Sequence, residues 1–187
     1  MRVVVVGVDP GAEHTGIVAA VCGDRVGSLT LHTHRTVERG TKAGMLPVEH
    51  TYIERVLLAV GAVTGGLNAE RLIVGVEGVR APSMRDEVGK RKPFDPEPLI
   101  ATAYVAGVVM GVVASTDGID ASYLVEPGGN GHAAYGAYPM DLVSPAERLR
   151  EGWAGRPAGQ GIMRHVRSAF DVARAAERLD RPNRRQG

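Results

Sequence analysis

Residues 3–16 read VVVVGVDPGAEHTG, and this stretch decides the architecture. Four consecutive valines, then Gly7 and Val8, make a nearly unbroken β-branched run, the pattern of a strand buried on both faces inside a mixed or parallel sheet. The run stops at Asp9, where Pro10-Gly11 imposes a turn. Working outward, Gly16 to Val21 and Val26 to His34 read as two more strands joined at Gly23-Asp24, an antiparallel meander. Ile53, Val56, Leu57 and Val60 recur at i, i+3, i+4 and i+7, so an amphipathic helix follows, ended by Gly65-Gly66. Arg71 to Glu77 (RLIVGVE) is a second apolar strand that terminates in an acid. Leu99 to Ala114 reads as a helix of small residues, Ala121 to Val125 as a fifth strand, and residues 126–144 as a Gly/Pro-rich loop or lid. A short helix starts at Pro145 and a long one spans Ile162 to Leu179. The expected fold is α/β: a five-stranded mixed sheet, its first three strands antiparallel, flanked by helices. One domain covers residues 1–179, and 180–187 is a basic, flexible tail.

The composition fits that reading. In 187 residues, 44% hydrophobic and 23% charged, there is room for one core and too little for two lobes around a nucleotide, which argues against the actin-like and sugar-kinase ATPases. The lone Cys22 excludes an internal disulfide, and no Cys/His spacing suits structural zinc. The apolar run before Asp9 is too short for a signal segment or a membrane span, so a cytoplasmic protein with no membrane partner is expected. The net charge of +1 conceals an asymmetry: residues 1–143 hold 12 Lys/Arg against 16 Asp/Glu, and 144–187 hold 10 Arg against 5 acids.

Chemistry is expected where the two acid-terminated strands end. In an open sheet the ligand crevice lies at the carboxyl ends of strands, and neighbouring strands would bring Asp9 and Glu77 together there. Two carboxylates in one small volume take up a proton unless a divalent cation such as Mg²⁺ or Mn²⁺ keeps both ionised. From spacing alone an equal alternative stands, in which Asp9 caps the turn and Glu77 is a solvated strand end.

Val6-Gly7-Val8-Asp9-Pro10-Gly11-x-x-x-Thr15-Gly16 resembles the opening of the RuvC-like Holliday-junction resolvases of the ribonuclease H superfamily. Val76-Glu77-Gly78, Gly128-Gly-Asn-Gly-His, Tyr138-Pro139 and Arg164-His165-x-Arg167-Ser168-Ala169-x-Asp171 resemble the phage and actinobacterial branch of that family. The resemblance implies a ribonuclease H-like fold, a homodimer, and Mg²⁺- or Mn²⁺-dependent hydrolysis of four-way or related branched DNA, leaving 5′-phosphate and 3′-hydroxyl ends. It implies Asp9 and Glu77 as metal ligands and a two-metal mechanism. Members typically close the site with an acid or His followed three residues later by Asp-Ala; here that register gives His165 and Ser168-Ala169, with Ser in the place of Asp.

At about 100° per residue, Ser168 and Asp171 lie about 60° apart and His165 and Asp171 about 120° apart, so all three share one broad helix face. Asp171 is therefore expected as the third metal-binding carboxylate. His165 is expected as an accessory ligand or proton-transfer group, with a phosphate contact or a surface role as its alternative. Arg80, Arg85, Lys90, Arg91 and Lys92 in the loop after Glu77, with Arg164 and Arg167, are the expected DNA contacts. Phe94 is the loop's candidate wedge, and helix 99–114 a candidate dimer seam. Two other functions remain open: an RNA-processing nuclease of the same fold, and a catalytically inactive branched-DNA-binding protein, to which Ser168 points.

Overall fold

The computed structural model describes residues 1–40, 46–80, 95–155 and 162–184. Strand β1 (Val3–Asp9) lies at the centre of a five-stranded sheet. It pairs antiparallel with β2 (His14–Cys22), which pairs antiparallel with β3 (Leu29–Glu38). On its other side β1 pairs in parallel with β4 (Arg71–Glu77), and β4 in parallel with β5 (Ala121–Val125). The order β3-β2-β1-β4-β5 is the expected mixed sheet. Val3 to Val6 and Val8 are buried, as a strand covered on both faces requires. The second and third strands run further than periodicity suggested, to a His14–Glu38 pairing. β3 is an edge strand, so its polar residues face water while backbone pairing continues.

Helices α1 (His50–Thr64) and α2 (Glu97–Ala114) cover one face of the sheet. Their Tyr52, Val56, Val60, Val105 and Val109 pack on Val6, Val8, Ile17, Val74 and Val76. α2 has the length and apolar composition of a membrane-crossing helix, the one such helix among the described residues. In this fold its Ala101, Val105, Ala106, Val109 and Val113 are buried. A short helix α3 (Pro145–Glu151) is closed by a capping box between Ser144 and Glu147.

The last helix, α4 (Ile162–Arg184), crosses the other face and contacts β2, β1 and β4. It lies so close because Gly7 and Gly16 present no side chains. A Cβ at Gly7 would sit 1.9 Å from the Ala169 carbonyl oxygen, and one at Gly16 would sit 2.2 Å from that of His165. α4 also continues through the 179/180 boundary drawn from sequence. Asp180 is fully buried and forms a two-bond ion pair with Arg71 (2.7 and 3.1 Å), which ties this part of the helix to β4.

Candidate active site

Asp9 and Glu77 end adjacent parallel strands whose preceding residues, Val8 and Val76, are in register, so the two carboxylates emerge side by side. They lie close enough for each charge to act directly on the other group. Burial, and then the neighbouring Asp9 charge, push the Glu77 carboxyl up to about 7, which is what two acids without a counter-charge should do. α4 supplies the opposite wall. Because Gly16 pairs with Asp9 across β1 and β2 and also touches the backbone of His165, the helix places His165 over the first acid. Its Nδ1 lies 2.9 Å from Asp9 Oδ2, and its ring meets that of His14 at 5.8 Å between centroids.

Each Glu77 oxygen is also held by a neutral donor. The buried Ser168 hydroxyl donates to Oε2 (2.8 Å) and the Asn130 amide to Oε1 (2.8 Å). Asn130 was given no role from the sequence: it stands inside Gly128-Gly-Asn-Gly-His, which resembles the phage and actinobacterial branch, but that spacing does not tell that its amide reaches Glu77. Asp171, expected as the third metal ligand, is a correction. It does not line the cleft, and its Oδ2 instead accepts from the Gly131 N–H (2.9 Å) and the Tyr138 hydroxyl (2.7 Å), while Arg174 lies 3.6 Å from Oδ1. The helical angle correctly put Asp171 beside Ser168; the loop 127–138 covers that part of the face, and one further turn moves the carboxylate beneath the loop.

The turn after Asp9 is fixed from below. The fully buried Tyr52 of α1 donates to the Gly11 carbonyl (2.9 Å) and its oxygen pairs with Thr15 Oγ1 (2.8 Å). Burial pushes its phenol up to about 12, so it stays a neutral donor. Thr15 in the opening motif therefore serves the turn, and Gly16 serves the approach of α4.

Asp9, Glu77, Asn130, His165 and Ser168 line a cleft of about 540 Å³. No family model matches the chain, and no curated protein matches it. Among solved structures it is similar to RuvC of Thermus thermophilus bound to a Holliday junction substrate, at 18% identity, covering 96% of each chain with a TM-score of 0.53. The chain has the RuvC fold. RuvC of the same organism on its own gives 19% identity, 96% coverage of each chain and a TM-score of 0.51. The likeness read from Asp9-Pro10-Gly11 and Thr15-Gly16 is thus borne out for the fold.

Set in the RuvC fold, the donor chemistry of the cleft suits a hard divalent cation. Mg²⁺ is commonly bound by one or two carboxylates with water and substrate phosphate completing its shell, and Asp9 and Glu77 are two neighbouring carboxylates, of which Glu77 is pushed up to about 7 by burial and then by the charge of Asp9. Among the described residues, no three His, Cys, Asp or Glu side chains are grouped to hold a metal ion. With Asp171 engaged elsewhere, the third carboxylate expected from the sequence is not among the cleft's donors.

The expected DNA contacts divide. Arg80 and Arg164 line the cleft. Arg167 does not, and this is a second correction: it is 2% exposed, bonded to the Leu142 carbonyl (3.0 Å) and paired with Glu147 (3.1 Å), its guanidinium 5.4 Å from the Tyr135 ring. A buried arginine needs such partners, and these fasten α3 and the preceding loop to α4. Arg85, Lys90, Arg91, Lys92 and Phe94 lie outside the described residues.

Proposed function

We propose that this chain is a divalent-metal-dependent endonuclease that hydrolyses phosphodiester bonds in branched DNA, with the four-way junction as its leading substrate. The observation that carries this reading is the placement of Asp9 and Glu77 side by side at the ends of adjacent strands, where burial and then the Asp9 charge push the Glu77 carboxyl up to about 7. Asp9 and Glu77 would hold Mg²⁺ or Mn²⁺, and a bound ion of that kind supplies Lewis acidity and lowers the pKa of a coordinated water. His165 orients Asp9 through Oδ2, and Ser168 and Asn130 orient Glu77. Arg80 and Arg164 are placed to meet backbone phosphates at the cleft. A homodimer is part of the proposal, because a symmetric junction offers two equivalent strands that one cleft per subunit serves at once.

The test is incubation with a four-way junction, a fork, duplex DNA and RNA in Mg²⁺ and in Mn²⁺. Junction cleavage should fall on the order of 10³-fold in Asp9→Asn, the loss expected when an ion worth several kcal/mol is no longer held, while junction binding survives. Cleavage at the wild-type rate in that variant would overturn the catalytic assignment. Ser168, the neutral residue beside the two acids, favours a second reading, a junction-binding protein that does not cut; binding without cleavage in either metal would select it. Preferential cutting of RNA would select an RNA-processing nuclease.

A further inference from the structure

The segment 127–138, PGGNGHAAYGAY, contains two glycines with positive φ, Gly129 (72°) and Gly131 (77°). A chain so rich in glycine has high conformational freedom and, unassisted, would not hold a side chain at a fixed point. Yet Asn130 reaches Glu77 Oε1 at 2.8 Å. What fixes it is Asp171. One carboxylate oxygen accepts both the Gly131 N–H and the Tyr138 O–H, and the Tyr138 oxygen in turn accepts the Ala133 N–H at 3.1 Å. The loop is thereby clasped at both ends of its inner half. Gly131 also seats on α4 itself, for a Cβ there would lie 2.9 Å from the Arg164 carbonyl oxygen and 3.1 Å from the Ser168 nitrogen.

We infer that Asp171 is a latch and that Asn130 is the positioning residue it controls: the chain Asp171–Gly131–Asn130–Glu77 sets the orientation of the second acid toward a bound cation. This rests on the metal-site reading above. The two roles open to Asp171 differ chemically. A metal ligand needs its negative charge, whereas a latch needs only an oxygen that accepts two hydrogen bonds, and an asparagine carbonyl supplies that oxygen.

Mn²⁺ binding to the full chain, followed by electron paramagnetic resonance of free Mn²⁺, separates the roles without reference to cleavage. Asp171→Asn should bind within about 3-fold of wild type, and Asp171→Ala and Asn130→Ala should weaken binding about 10- to 100-fold, the range for groups that orient a ligand. Tyr138→Phe removes one of the two latch donors and serves if Asp171→Ala does not fold. Loss of Mn²⁺ in Asp171→Asn as severe as in Asp9→Asn would overturn the inference, as would wild-type binding in Asp171→Ala. If wild type itself binds no Mn²⁺, the metal-site reading fails separately and the latch is judged by amide exchange at Gly131. Exchange should be slow in wild type and Asp171→Asn and fast in Asp171→Ala; equal rates in all three would overturn it.

Discussion

Glu77 shows how a single residue reports the purpose of its surroundings. Its carboxyl is raised from an ordinary 4.5 to about 7, so the folded protein binds its proton more tightly than the unfolded chain does. The sign follows directly: the stability tied to this group is complete below about pH 4.5 and is lost as pH rises through about 7, on the order of 3 kcal/mol at most. Metal-free wild type should therefore lose thermal stability between about pH 5 and pH 8, and Mg²⁺ should restore it at the upper end. Glu77→Gln, which keeps an acceptor for Asn130 and adds a donor toward Asp9, should remove most of that dependence; scanning calorimetry with and without metal checks both expectations. Asp9 and Glu77 were legible because an acid closing an apolar strand is conspicuous and strand ends converge. Asn130 was not, because its importance arises from a loop path that no local spacing encodes.

At the scale of elements, α4 makes the site what it is. Its position is set by backbone meeting backbone at Gly7 and Gly16, so the motif glycines fix both the height and the register of the helix above the sheet. The existence of all five strands could be read from the sequence, and β1, β4 and β5 to their ends, because burial leaves a strong apolar pattern; the bounds of β2 and of the half-exposed edge strand β3 could not. Helical angles, by contrast, tell which residues share a face and are silent about what covers it, which is why Asp171 was expected in the cleft; charge alone is equally silent about burial, which is why Arg167 was expected to meet DNA; both lie under other elements. The two arginines one turn apart on α4 give a sharp check. Arg167→Ala should destabilise the protein by about 3 kcal/mol by leaving Glu147 and the Leu142 carbonyl without their partner. Arg164→Ala should leave the melting temperature nearly unchanged, weaken junction binding, and reduce the slope of binding against salt concentration by about one. Urea denaturation and binding titrations at several salt concentrations measure the pair.

Among the described residues, α2 presents a helix face that nothing covers. Ile100, Tyr104 and Val112 of α2 are exposed, Tyr104 at 52%, and a Cβ at Gly107 or Gly111 would meet nothing within 4 Å. An apolar, small-residue face of this kind permits close helix packing between two copies, the arrangement a two-fold substrate calls for. Sedimentation equilibrium should find a dimer in wild type and a shift toward monomer in Tyr104→Lys, with junction cleavage reduced in the same variant. A monomeric wild type would redirect the substrate toward forks and flaps. The order of the chain adds a consequence of its own. Asp9 and His165 meet across 156 positions of sequence, one from the first strand and one from the last helix. The wall that His165 and Ser168 supply is therefore missing until α4 has formed and docked on the sheet, so closure of the cleft waits on contacts between segments far apart in sequence.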